Sequence, residues 1–126
     1  MPKRVLIVDD KFSIRNAIRG FLSQRQDLEI VGEAADGAEA VEKAQVLQPD
    51  LVLLDFSMPI MNGAQAASIL KKKFPNISII LFTLDGDVVG ETLKSVGVDA
   101  VLSKLAGLDA LMKGIDAVLA KESDEP

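Results

Sequence analysis

The chain has 126 residues, of which 48% are hydrophobic and 26% charged; this fits one folded domain with its own core and argues against disorder. It contains no cysteine and no histidine. That excludes a disulfide framework, a thiolate or imidazole metal site, a cysteine nucleophile and a Ser-His triad, and leaves hard, oxygen-bound cations such as magnesium or calcium. The net charge of −5 argues against a general grip on nucleic-acid backbones.

Met1 to Arg4 is too short for a signal peptide and lacks its apolar stretch, and no apolar run reaches membrane-spanning length. The expectation is a soluble cytoplasmic domain with no membrane contact and no direct nucleic-acid binding.

In chain order, the first apolar run is RVLIVD (4–9), which ends in the adjacent acids Asp9 and Asp10. A helix pattern follows, with Ile14, Ala17, Ile18, Phe21 and Leu22 on one stripe and Ser13 as the candidate N-cap. LEIVGEA (28–34) reads as a second strand. The helix after Asp36-Gly37 turns Ala38, Val41 and Ala44 inward and sets Glu39 beside Lys43 at i,i+4. DLVLLD (50–55) is a third strand, followed by a helix from about 63 to 74 that Pro75-Asn76 stops. ISIILF (77–82) is a fourth strand, and a fourth helix is predicted over 86–96, ending at Gly97. DAVLSK (99–104) is a fifth strand. A last helix over 107–121 carries Leu108, Leu111, Met112, Ile115, Val118 and Leu119 as its apolar stripe.

Strands 4–9, 50–55 and 77–82 are apolar nearly throughout, as strands buried on both faces are. Strand–helix alternation predicts right-handed crossovers and a doubly wound α/β fold, (βα)5, with a five-stranded parallel sheet of flavodoxin-like order 2-1-3-4-5. One domain is expected over 1–121, with 122–126 as an acidic tail or the start of a linker.

In such folds ligands bind at the carboxyl ends of the strands. Asp9-Asp10, Asp55, Thr83 and Lys104 stand at those ends. With the first strand between the second and third, three carboxylates, a hydroxyl and an ammonium converge. Adjacent acids repel and resist losing water, so a divalent cation gathered between them would offset the repulsion; magnesium suits few carboxylates and retained waters. Taken singly, each residue reads as a loop, cap or turn residue. Taken together they suggest a carboxylate nucleophile toward phosphorus, with Asp55 forming an aspartyl phosphate while Lys104 and Thr83 contact the phosphoryl oxygens.

In this combination VLIVDD, PDLVLLDFSMPIMNG, LFTLDGD and LSK resemble the receiver domain of two-component response regulators, from Lys3 to about Lys121. DLEIVGEAADGAEAVEKA is similar to the subgroup that carries a helix-turn-helix output domain. The resemblance implies Asp55 as phosphoacceptor, Asp10 as direct magnesium ligand, Asp9 acting chiefly through water, and the Ser57 carbonyl as a further ligand. It implies Thr83 as the switch hydroxyl, Lys104 as the phosphoryl-pairing lysine, and Met58-Pro59 and Gly63 as the turn and helix start after the acceptor. It further implies a sensor histidine kinase as donor, and a signalling domain that catalyses its own phosphorylation and slow autodephosphorylation rather than an enzyme. Readout is expected on the face of the fourth helix, fifth strand and fifth helix, where homodimerisation would use residues such as Val88, Val89 and Lys94. Kinase docking is expected on the first helix, near Ile14, Arg15, Asn16 and Ala17.

The chain departs from the family at three places. Val101 stands where an aromatic switch residue is usual, so a weaker or differently routed change is expected. Leu84 replaces a small residue and is expected to hinder small donors or water. Leu105 replaces a frequent proline. Ser57, Leu84 and Asp85 are candidate tuning positions for the phosphorylated lifetime.

A flavin carrier of the same fold needs a Ser-, Thr- or Gly-rich loop where this chain has Asp9-Asp10-Lys11-Phe12. An aspartate-dependent phosphohydrolase needs Asp-x-Asp after the first strand. The remaining alternative is a phosphate-independent receiver-like binding module, although such modules usually lack one of the five residues kept here.

Overall fold

The computed structural model describes residues 1–84 and 96–123. Strands β1 (Lys3–Val8), β2 (Leu28–Ala34), β3 (Leu51–Leu54), β4 (Ser78–Thr83) and β5 (Ala100–Ser103) form one parallel sheet in the order β2-β1-β3-β4-β5. The fold class and strand order expected from the sequence are those observed.

Side-chain alternation explains the continuously apolar strands. Val5, Ile7, Leu51, Leu53, Ile80 and Phe82 enter one core with Ile18 and Leu22 of α1 (Phe12–Leu22) and with Leu111, Ile115 and Val118 of the C-terminal helix (Gly107–Ser123). Leu6, Val8, Val52, Leu54 and Ile79 enter the other. There they meet Ala40 and Ala44 of α2 (Gly37–Leu47) and Ala66, Ala67 and Leu70 of α3 (Gly63–Lys73). Adjacent strand residues thus face opposite layers, and neither side tolerates polar alternation.

Local chemistry sets the helix starts. The Asp36 carboxylate accepts from the Glu39 N–H at 2.8 Å, and Glu39 Oε1 accepts from the Ala35 N–H at 2.6 Å. Asn62 and Gln65 form a reciprocal capping box on α3. Ser13 does not cap α1: the helix begins at Phe12, Lys11 is its N-cap without a side-chain bond, and Asp9 Oδ1 instead accepts the Lys11 N–H at 2.9 Å. In α2, Ala40 is fully buried although the inward stripe omitted it, whereas Ala38 is only half-buried. The Glu39–Lys43 pair forms at 3.6 Å.

The sheet's edge strand β2 carries a bulge, since Val5 faces Ile30 but Leu6 faces Gly32. Apart from Val96, the helix predicted over 86–96 lies outside the described residues, as do Asp85, Val88, Val89 and Lys94. Among the described residues, no helix is long and apolar enough to cross a membrane.

Candidate functional site

β1 lies between β2 and β3, so its end meets the end of β3 at the centre of the sheet. Hydrogen bonds continue one residue past the strands: Asp9 N–H donates to the Ala34 carbonyl at 3.0 Å, and Asp55 N–H to the Val8 carbonyl at 3.0 Å. Both acids are thereby fixed by backbone at the rim of the core. Asp9 is 2% and Asp55 3% exposed, while Asp10 is exposed.

Thr83, the last residue of β4, is buried. Lys104 opens a short 3-10 turn (Lys104–Ala106) directly after β5, rather than closing the strand. Its Nζ lies 2.7 Å from Asp9 Oδ2 and 3.3 Å from Asp55 Oδ1.

The lysine therefore gives its shorter contact to Asp9. Asp55 Oδ2 is buried without a hydrogen-bond partner among the described residues. Burial, and then the charge of Asp9, push the Asp55 carboxyl above its ordinary range; Asp10 adds to this and Lys104 opposes it. Burial acts to lower the Lys104 ammonium, but the Asp9 hydrogen bond and the Asp55 and Asp9 charges prevail and raise it.

Asp9, Asp10 and Asp55 each offer an oxygen within 4.8 Å of the others. An all-oxygen donor set with one orphaned buried oxygen fits a small hard dication. The cluster is one of acids that repel each other and are only partly compensated by Lys104.

The remaining sequence candidates are spread around this centre. Ser57 is exposed in the β3–α3 loop, Leu84 is 59% exposed after β4, and Val101 is half-buried in β5 opposite Leu81. Leu105 is exposed.

Two residues named from the sequence in other roles, Arg15 for kinase docking and Gly63 as a helix start, also support the acids. The Arg15 guanidinium donates to the Asp9 carbonyl at 2.6 Å, reached from one turn into α1. Gly63, expected only as the helix start, packs so closely that a Cβ there would sit 2.5 Å from the Asp55 carbonyl oxygen. Its N–H donates to the Phe56 carbonyl at 2.9 Å, closing the loop behind Asp55. An arginine one turn beyond the acids, and a glycine eight residues after Asp55, are the signals that mark these positions.

A doubly wound α/β domain with a cluster of three carboxylates at its topological switch point is thus defined. Residues 5–116 match the response regulator receiver domain family. The response regulator protein VraR of Staphylococcus saprophyticus is 37% identical over 125 residues, covering 98% of this chain and 59% of that protein. The chain therefore spans less than two thirds of that relative's length.

The receiver domain of AraT, a response regulator from Geobacillus stearothermophilus, superposes with a TM-score of 0.88 at 33% identity, covering 98% of this chain and 97% of that one. A DNA-binding response regulator of the LuxR family from Staphylococcus aureus gives a TM-score of 0.85 at 26% identity, with 92% and 98% covered. The chain belongs to the response regulator receiver domain family, the signalling domains of two-component systems. Receiver domains bind Mg2+ at acidic residues, and the Asp9, Asp10 and Asp55 cluster has the matching donors.

Proposed function

We propose that this domain is a phosphorylation-dependent switch in which Asp55 accepts a phosphoryl group from a sensor histidine kinase. The observation that carries the reading is the orphaned, buried Asp55 Oδ2 beside a lysine and two further acids. In the transfer, an Asp55 oxygen forms a bond to phosphorus. The phosphorus–nitrogen bond to the donor histidine breaks, and its electron pair returns to the imidazole nitrogen, which takes up a proton.

Lys104 is already positioned against Asp55 and pairs with the incoming phosphoryl oxygens, and Thr83 donates its hydroxyl to one of them. Asp9, Asp10, Asp55 and the Ser57 carbonyl would hold Mg2+, which supplies neutralisation of charge on the transferring group. Once Lys104 turns to the phosphoryl group, its contact with Asp9 weakens. That exchange is the local event that biases the two-state equilibrium.

The readout is the face of β5, the C-terminal helix and the segment before β5. With Val101 in place of an aromatic side chain, coupling there runs through the Thr83–β5 pairing rather than through a swinging ring. Homodimerisation on this face, a cytoplasmic location, slow autodephosphorylation tuned by Ser57, Leu84 and Asp85, and control of transcription through an output partner complete the reading.

The test is fluorine NMR with beryllofluoride, a mimic of the phosphoryl group. Magnesium-dependent bound resonances, absent in Asp55→Asn, are expected. Their absence from the unsubstituted protein would favour the phosphate-independent binding module instead.

A further inference from the structure

Ile60 combines two costs that the fold itself does not recover. Its φ is 70°, in the left-handed region that disfavours β-branched residues. The Met61 N–H donates to the Pro59 carbonyl at 2.7 Å, so Ile60 sits at the centre of a three-residue γ-turn of the rare, strained form. Yet its side chain is 83% exposed. Glycine or asparagine would relieve the backbone, and the core would lose nothing. An apolar side chain that serves neither its own backbone nor its own core is explained by a surface outside the domain.

The surroundings indicate which surface. Six large hydrophobic residues are exposed among the described residues, and four of them follow the carboxyl ends of β1, β3, β4 and β5: Phe12 at the first position of α1, Ile60 and Leu84 in loops, and Leu105 in the 3-10 turn. This is the edge of the sheet at which Asp55 lies. The collar is also held in place. Phe12 carries the Arg15 guanidinium 5.7 Å from its ring centroid, and the loop bearing Ile60 is closed by the Gly63–Phe56 hydrogen bond and the Asn62–Gln65 capping box. A rigid apolar anchor beside a polar, charged centre is the pattern of an interface hot spot, and preorganisation lowers the entropy lost on docking. A small phosphoryl donor has no surface for such a collar to grip, whereas a protein donor does.

We propose that Ile60 is a specificity-determining anchor for a protein phosphoryl donor, entering an apolar pocket on that donor as its phosphohistidine reaches Asp55. This rests on the phosphoacceptor reading above.

The test compares Ile60→Gly and Ile60→Asn with the unsubstituted protein. Both changes suit the backbone and remove the apolar side chain. Phosphorylation is followed with phosphoramidate, and with a phosphorylated histidine kinase chosen by screening purified kinases for transfer to the unsubstituted chain. The expected result is an unchanged rate with phosphoramidate and a fall of about tenfold or more in kcat/KM with the kinase, carried by KM, as loss of one buried isoleucine side chain implies.

An unchanged rate with the kinase would overturn the proposal. So would an equal fall with both donors, which would make Ile60 a loop-shaping residue. A change in oligomeric mass by light scattering without a change in transfer would overturn it in favour of self-association. Failure of the unsubstituted protein with both donors would instead remove the phosphoacceptor reading, and the anchor with it.

Discussion

Replacing Asp55 with asparagine is expected to stabilise the metal-free protein, although it removes the group proposed to react. Asp55 Oδ1 lies 3.3 Å from Lys104 Nζ, and oxygens of Asp9 and Asp10 lie within 4.8 Å. With an effective dielectric of about 20, the lysine attracts by about 5 kcal/mol and each acid repels by about 3.5 kcal/mol. Asp10 is exposed, and screening reduces its share to about half. The pair terms then nearly cancel. What remains is the burial of Asp55 with Oδ2 unpartnered, a cost of about 1–3 kcal/mol.

Asparagine keeps the shape and removes the charge, for an expected gain of about 1–2 kcal/mol, or about 4–8 °C in Tm at this chain length. The pH dependence follows from the raised Asp55 pKa. The penalty is present above the folded value and disappears as the pH falls toward the ordinary value of 3.8. Thermal unfolding by circular dichroism in EDTA should therefore show the two proteins separated at neutral pH and converging near about pH 4. An Asp55→Asn protein no more stable at neutral pH, or a gap that widens in acid, would refute the reasoning.

Other substitutions probe the supports of the site. Lys104→Met leaves Asp9 and Asp55 without the cation that stands 2.7 and 3.3 Å away, so urea unfolding should show a loss of about 3–5 kcal/mol, part of it restored by adding Asp55→Asn. Because the Lys104 pKa is raised above 10.5, that contribution is full below 10.5 and declines only as the pH rises through the folded value; an earlier alkaline decline would contradict it. Glu33→Gln breaks contacts of 3.0 Å to Arg15 and 2.6 Å to Arg19, and a loss of about 1 kcal/mol is expected at neutral pH for these partly exposed pairs. Burial pushes the Glu33 carboxyl up, but Arg19 and Arg15 hold it below 4.5, so the difference from the unsubstituted protein is present above 4.5 and vanishes as the pH falls through the folded value. Gly63→Ala drives a Cβ to 2.5 Å from the Asp55 carbonyl and 2.8 Å from Phe56 Cα; both are backbone atoms, so a loss of about 1–3 kcal/mol and impaired Asp55 phosphorylation are expected.

The fold was legible because each layer imposes its own pattern. Leu51 to Leu54 face both cores in turn and admit no polar residue, and α3 ends where Pro75 follows Phe74. The position of the acids was legible for the same reason: a parallel sheet leaves its carboxyl ends as the place where Asp9, Asp55 and Lys104 can meet.

What the pattern did not carry was competition between partners. Ser13 is a good cap by type, but the Asp9 side chain had already taken the Lys11 N–H and moved the helix start ahead of it. Nothing in the order of residues shows that Lys104 approaches Asp9 more closely than Asp55, because that depends on side chains meeting across 95 positions of sequence. The strained turn at Ile60 was hidden as well, since the residue type there argues against the backbone it adopts.

The measurement that bears most directly on the central claim is intact mass after incubation with phosphoramidate and magnesium, run beside Asp55→Asn. The account predicts one phosphoryl group on the unsubstituted protein, lost on chelation of the metal before the donor is added and absent from Asp55→Asn. Because Leu84 is expected to hinder small donors, beryllofluoride binding is followed on the same sample; neither an adduct nor bound beryllofluoride on the unsubstituted protein, or an adduct that survives in Asp55→Asn, would contradict it.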